Sequence, residues 1–113
     1  MDKIKFFSEL LEEKNIEDIK VIDLSEVSTT MDYFIIGTAS SDRHVKSVSD
    51  FIDEKAKEQG LFLTSREGKE EGRWILMDYN ELIVHIFVKE ERELYNLEKL
   101  WSTGEFKKNT VTE

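Results

Sequence analysis

The stretch Arg73-Trp-Ile-Leu-Met-Asp-Tyr-Asn-Glu-Leu-Ile-Val-His-Ile-Phe-Val88 decides how this chain folds. It is the longest apolar run in the sequence, and its main interruption is Asn80-Glu81. Two short runs rich in Ile, Val, Phe and Trp around a two-residue polar break read as a β-hairpin. Asn80 supports the reversal because Asn tolerates positive φ, although Asn-Glu is a weaker turn pair than Asn-Gly. With Asn80 and Glu81 at the tip, Tyr79 faces Leu82. Counting back pairs Asp78 with Ile83, Met77 with Val84, Leu76 with His85 and Trp74 with Phe87.

Side chains alternate along a strand, so this register sorts the hairpin onto two faces. Ile75, Met77, Tyr79, Leu82, Val84 and Ile86 make an almost purely apolar face, expected beneath helices. Trp74, Leu76, Asp78, Ile83, His85 and Phe87 make the other, which mixes large apolar groups with an acid and an imidazole. That second face is expected to be only partly covered, or to meet something outside the chain.

Outward from the hairpin, residues 2–14 carry Ile4, Phe7, Leu10 and Leu11 at helical spacing, with Asp2 suited to the start and Asn15 to the stop. Residues 19–24 read as a strand. Tyr33-Phe-Ile-Ile-Gly-Thr-Ala39 is a nearly continuous apolar strand, expected mid-sheet with both faces covered. Ser40-Ser41-Asp42 offers a helix N-cap. The helix should run to Gln59, burying Val45, Val48, Ile52 and Ala56 with Phe51 at the edge, and stop at Gly60. Residues 61–65 read as a short strand and residues 66–72 as a charged loop. A last helix is expected over residues 90–101, with Leu94, Leu97 and Trp101 along one side. The simplest packing is an α+β arrangement, three helices against a five-stranded mixed sheet. One domain is expected over residues 1–102, followed by a flexible tail over 103–113.

Composition narrows the function. A length of 113 residues suits one domain with one core. There is no Cys, so disulfides and thiolate zinc sites are excluded. No apolar run approaches the ~20 residues that span a bilayer. The first residues lack a signal-peptide pattern. A cytosolic, membrane-free protein is the expectation. Net charge is −9, and no basic cluster is present. Phosphate backbones would be repelled, so little direct nucleic-acid contact is expected, while a basic protein partner would be attracted.

Catalytic candidates are few. His44 and His85 are the only histidines, and they fall on separate elements, so their spacing argues no metal pair. Asp23, Asp32 and Asp78 lie in or beside strands. With the turn from Gly37 to Ser41, Asp32 and Asp78 would suit a small metal-dependent nucleotidyl transferase. The turn lacks the Gly-rich, Lys-bearing phosphate loop, however, and a capped helix start explains it better. The expectation is therefore no catalytic residue, no metal and no cofactor. The aromatics carry more: Trp74, Tyr79, Tyr95 and Trp101 all fall in the hairpin and the helix after it. Trp and Tyr anchor many interfaces, yet most sit in cores. Trp74 stands apart because it shares a face with Asp78 and His85. A dimeric scaffold for some other partner would fit these features as well.

Several motifs then resemble one family. Val21-Ile-Asp-Leu-Ser25, Met31-Asp-Tyr-Phe-Ile-Ile-Gly-Thr-Ala-Ser-Ser-Asp-Arg-His-Val45, Glu67-Gly68, Trp74-Ile-Leu-Met-Asp-Tyr79, Val84-His-Ile-Phe87 and Leu94-Tyr-Asn-Leu-Glu-Lys-Leu-Trp101 are similar, in order and spacing, to the ribosomal silencing factors, also called Iojap-like. The resemblance implies a nucleotidyltransferase-like topology without the catalytic acids. It implies binding to large-subunit ribosomal protein fourteen, with joining of the small subunit blocked and translation repressed. It also implies a homodimer in the free state. The family's hairpin residues correspond to Trp74, Asp78 and His85, and its aromatic-and-acid helix to Tyr95, Glu98 and Trp101.

Overall fold

In a computed structural model describing residues 1–26 and 28–96, the chain reverses at Asn80-Glu81 as the sequence predicts. Asn80 takes φ +84°, which an Asn tolerates far better than a branched residue would. Its N–H donates to Asp78 Oδ1 at 2.8 Å, and the Tyr79 N–H donates to the Leu82 carbonyl at 2.8 Å. These bonds close the turn and fix the register.

The described elements are α1 (Lys3–Glu13), β1 (Glu17–Asp23), β2 (Tyr33–Ala39), α2 (Asp42–Glu58), β3 (Ser65–Glu67), β4 (Trp74–Asp78), β5 (Leu82–Val88) and α3 (Lys89–Tyr95). Three helices and a five-stranded mixed sheet are present, in strand order β1-β2-β5-β4-β3. The β4–β5 ladder pairs Trp74 with Phe87, Leu76 with His85, Met77 with Val84 and Asp78 with Ile83. β5 then runs parallel to β2, while β1 and β3 are antiparallel edges. A parallel neighbour for β5 requires a crossover, and α2 and the β3–β4 segment supply it.

The apolar hairpin face is sealed. Ile75, Met77, Val84 and Ile86 are fully buried with Phe7 and Leu11 of α1 and Val45, Ile52 and Ala56 of α2 in the main core. α1 starts at Asp2, whose carboxylate accepts the Lys5 N–H at 3.1 Å. α2 starts at Ser41, whose hydroxyl accepts the His44 N–H at 3.1 Å. His44 has a structural task. Its Nδ1 accepts the Ser40 N–H at 2.9 Å, so Nε2 carries the proton and donates to the Lys14 carbonyl at 2.7 Å. The end of α1 is thereby tied to the start of α2.

Three departures from the sequence reading are informative. The strand expected over residues 61–65 forms instead at Ser65–Glu67 (β3), sharing only Ser65 with the expected span and otherwise lying in the segment expected to be a loop. Leu61 and Leu63 pack on the core and Phe62 points outward, which is the alternation of a strand. Ladder bonding begins only where the Thr64 N–H reaches the Asp78 carbonyl at 2.7 Å. Alternation reports burial, and pairing needs a partner edge besides. The first strand begins earlier than expected, at Glu17, with a bulge where Asp18 takes φ +56°. The last helix, expected over residues 90–101, starts at Lys89 and stops at Tyr95, because Asn96 turns left-handed at φ +49° and its N–H closes on the Arg92 carbonyl. Residues 97–113, with Glu98, Trp101 and the expected tail, lie outside the described residues.

Gly37 is required by close approach rather than by a turn. A Cβ there would lie 2.4 Å from Ile16 Cγ2. Gly37→Ala is expected to lower stability by about 1–3 kcal/mol through overpacking. Urea unfolding checks this, and adding Ile16→Ala should give a double mutant less damaged than the sum of the singles.

Candidate sheet-face docking site

The second face of the sheet is built in rows across the ladders. One row runs Thr38, Phe87, Trp74; the next Ile36, His85, Leu76; the third Phe34, Ile83, Asp78. On the β1–β2–β5 side the rows close into a small second core of Ile22, Leu24, Phe34, Ile36 and Phe87. Towards β4 the cover thins. Trp74, Leu76, Asp78 and Ile83 are each half-buried, and Met31 joins them from the segment before β2.

Trp74 is held from three sides. Its ring stacks on Phe87 with centroids 4.8 Å apart and packs on Tyr95 at 4.7 Å. Its indole N–H donates to His85 Nδ1 at 3.1 Å. His85 itself is only 3% exposed and lies edge-on to Phe34 at 4.6 Å. The structure thus places His85 beneath the face as a support for Trp74. Burial disfavours its charged form and pushes its pKa down to about 3.

α3 crosses the end of this face and carries half-exposed Tyr95 and well-exposed Leu94. Arg92 anchors it: its guanidinium donates to the Asp18 carbonyl at 2.8 Å and to Thr38 Oγ1 at 2.7 Å. Arg73 Nε adds an ion pair to Glu91 at 3.0 Å.

Not every residue named from sequence meets at this surface. Trp74, Asp78 and Tyr95 do, with His85 under Trp74. Tyr79 sits on the opposite face, buried against the Phe7 ring at 4.7 Å, its hydroxyl pKa raised first by burial and then by the nearby Asp53 carboxylate. Leu76 and Ile83 were placed on this face by the register but not singled out, although they supply its apolar ground between Trp74 and Asp78. Arg92 carried no pattern signal at all, because its partners are a carbonyl and a hydroxyl far along the chain.

Two of the three acids that could suit metal chemistry, Asp23 and Asp78, have local tasks. Asp23 Oδ1 accepts the Ser25 N–H at 2.9 Å and the Ser25 hydroxyl at 2.7 Å, and Asp78 Oδ1 caps the hairpin tip. Among the described residues no group of three or more His, Asp or Glu is placed to hold a metal ion. Gly37 lies within β2 and Ser41 caps α2, so that segment is a buried strand running into a capped helix.

Comparison with known proteins identifies the relatives. The family model described as ribosomal silencing factor during starvation matches residues 1–113. The chain belongs to the ribosomal silencing factor family. A ribosomal silencing factor of Bacillus subtilis is 39% identical over 98 residues, covering 87% of this chain and 83% of that protein. Another, from Halalkalibacterium halodurans, is 35% identical over 91 residues, covering 80% and 78%. A crystal structure of a Chromobacterium violaceum protein superposes with a TM-score of 0.84 at 31% identity, covering 92% of this chain and 88% of that one. Among the described residues, no helix is long and apolar enough to cross a membrane.

The buried imidazole of His85 makes the protein's stability depend on pH. His85 takes up a proton near the ordinary 6.5 when unfolded, but only near 3 when folded. Its contribution is complete above the unfolded value and is lost as pH falls towards 3. Between pH 7 and 5 that loss is about 2 kcal/mol. Urea unfolding across this range should show it, and His85→Leu should flatten the slope by that amount.

Proposed function

We propose that the protein docks through the β4–β5 sheet face and α3 onto the large ribosomal subunit, at its protein fourteen, and there blocks joining of the small subunit. The observation that carries this reading is the half-exposed Trp74, braced by Phe87, Tyr95 and His85 on a face that also offers Leu76, Ile83 and Asp78. A rigid aromatic anchor ringed by apolar and acidic groups is the form of an interface hot spot. Glu98 and Trp101 extend the proposed site along the sequence after α3.

The occupant is a basic protein surface. The chain's net charge of −9 favours encounter with Lys- and Arg-rich ribosomal protein and disfavours capture by rRNA phosphates. A specific interface of roughly 1,600 Å² in total is within reach of a domain this size. Once docked, the body of the domain occupies volume that the small subunit needs. Repression in this mechanism is steric, uses no catalytic group or cofactor, and takes place in the cytoplasm. In the same reading, drawn from the family resemblance, the free protein is a homodimer.

Trp74→Ala should weaken docking by about 2 kcal/mol or more. Co-sedimentation with isolated large subunits measures this, with circular dichroism confirming the fold. The wild-type protein should co-migrate with free large subunits and not with joined ribosomes. Retained binding in a folded Trp74→Ala protein removes this face from the interface. Equal binding to joined ribosomes removes the steric mechanism.

A further inference from the structure

His85 is a costly residue for the place it occupies. Its ladder neighbours are Ile36 and Leu76, its ring neighbours Phe34 and Phe87. The bond from the Trp74 indole fixes its tautomer: Nδ1 accepts, so the proton sits on Nε2. That Nε2 is buried and has no hydrogen-bond partner among the described residues. A buried donor left unpaired costs stability, and an apolar side chain of similar volume avoids that cost. The imidazole's polar chemistry is directed at Trp74.

We propose that His85 is a positioning residue, which holds the Trp74 indole in one orientation for docking and does so against the interest of fold stability. The proposal deepens the docking reading above and rests on it. Stacking on Phe87 and packing on Tyr95 confine the plane of the indole. Stacking alone leaves open which edge of the ring faces inward, because a ring turned over within its plane keeps much of the same apolar contact. The Nδ1 acceptor selects one of the two, since the turned ring would leave both the indole N–H and Nδ1 without this bond. A side chain already ordered before binding loses less freedom on binding. Burial keeps the imidazole neutral near neutral pH, so the acceptor is always present there.

The test compares His85→Leu and His85→Asn with wild type by three measurements. These are the urea midpoint, the indole N–H resonance of Trp74 in a proton–nitrogen correlation spectrum, and affinity for isolated large subunits. The Trp74 resonance is identified by its disappearance in Trp74→Phe. His85→Leu should unfold at or above the wild-type midpoint near neutral pH, while its indole N–H moves upfield and exchanges faster with solvent. Its docking should weaken by about tenfold, the order expected for one net hydrogen bond and one newly mobile side chain. His85→Asn places an amide oxygen near the position of Nδ1 and should recover part of both the resonance position and the affinity. A purely structural histidine would give the opposite pattern, a lowered midpoint with docking intact in the folded fraction, and that result overturns the proposal. So does unchanged affinity in a His85→Leu protein whose indole resonance has moved. If Trp74→Ala itself docks like wild type, the docking reading has failed. If Trp74→Ala abolishes docking and His85→Leu does not weaken it, only the positioning role has failed.

Discussion

The register of the β4–β5 hairpin governs the rest of the molecule. A strand's side chains alternate with a period of two, so a slip of one residue would exchange the two faces completely. Ile75, Met77, Val84 and Ile86 would then turn to the partly open face, and Asp78 and His85 would enter the main core. The turn at Asn80 prevents this, with its positive φ and the Asp78 carboxylate gripping its N–H. β5 passes the register on to β2 through parallel pairing, and β2 passes it to β1. Through that chain of ladders one turn decides which face is sealed by α1 and α2 and which keeps open ground.

The two faces are stabilised differently. The face under α1 and α2 is an apolar core whose energetics follow from area removed from water. The other holds a smaller core and two buried polar side chains, His85 and Arg92. Arg92 is well supplied with acceptors and fastens α3 across the sheet ends. His85 is supplied on one nitrogen, and its other has no partner among the described residues. Both act on the surroundings of Trp74, one beneath its ring and one through the helix that carries Tyr95. The open face is thus a braced aromatic platform, which suits the docking role proposed for it.

Much of this was legible in the chain itself. Hydrophobic patterning located α1, α2, β2 and the hairpin, because the helices bury one stripe, β4 alternates, and β2 is apolar on both faces, so the pattern of burial is written residue by residue. Capping chemistry located the helix starts at Asp2 and Ser41. The β3 strand was misplaced because Leu61 and Leu63 are partly buried against the core without being paired, and burial is what an apolar pattern reports. The family was readable from motifs spread from Val21 to Trp101, taken together in their order and spacing.

The sequence by itself determined most of the local elements (not the place of β3 or the end of α3), the hairpin register and therefore the membership of each face. Those depend on backbone dihedral preferences and on side chains a few residues apart. Only the tertiary structure decided the strand order, the parallel pairing of β2 with β5, and the depth at which each side chain of the open face lies. It alone showed His85 under Trp74, Arg92 reaching Asp18 and Thr38, and His44 reaching Lys14. The reason is physical: a hydrogen bond between residues distant in the chain depends on where the folded backbone brings donor and acceptor. No local periodicity encodes that meeting.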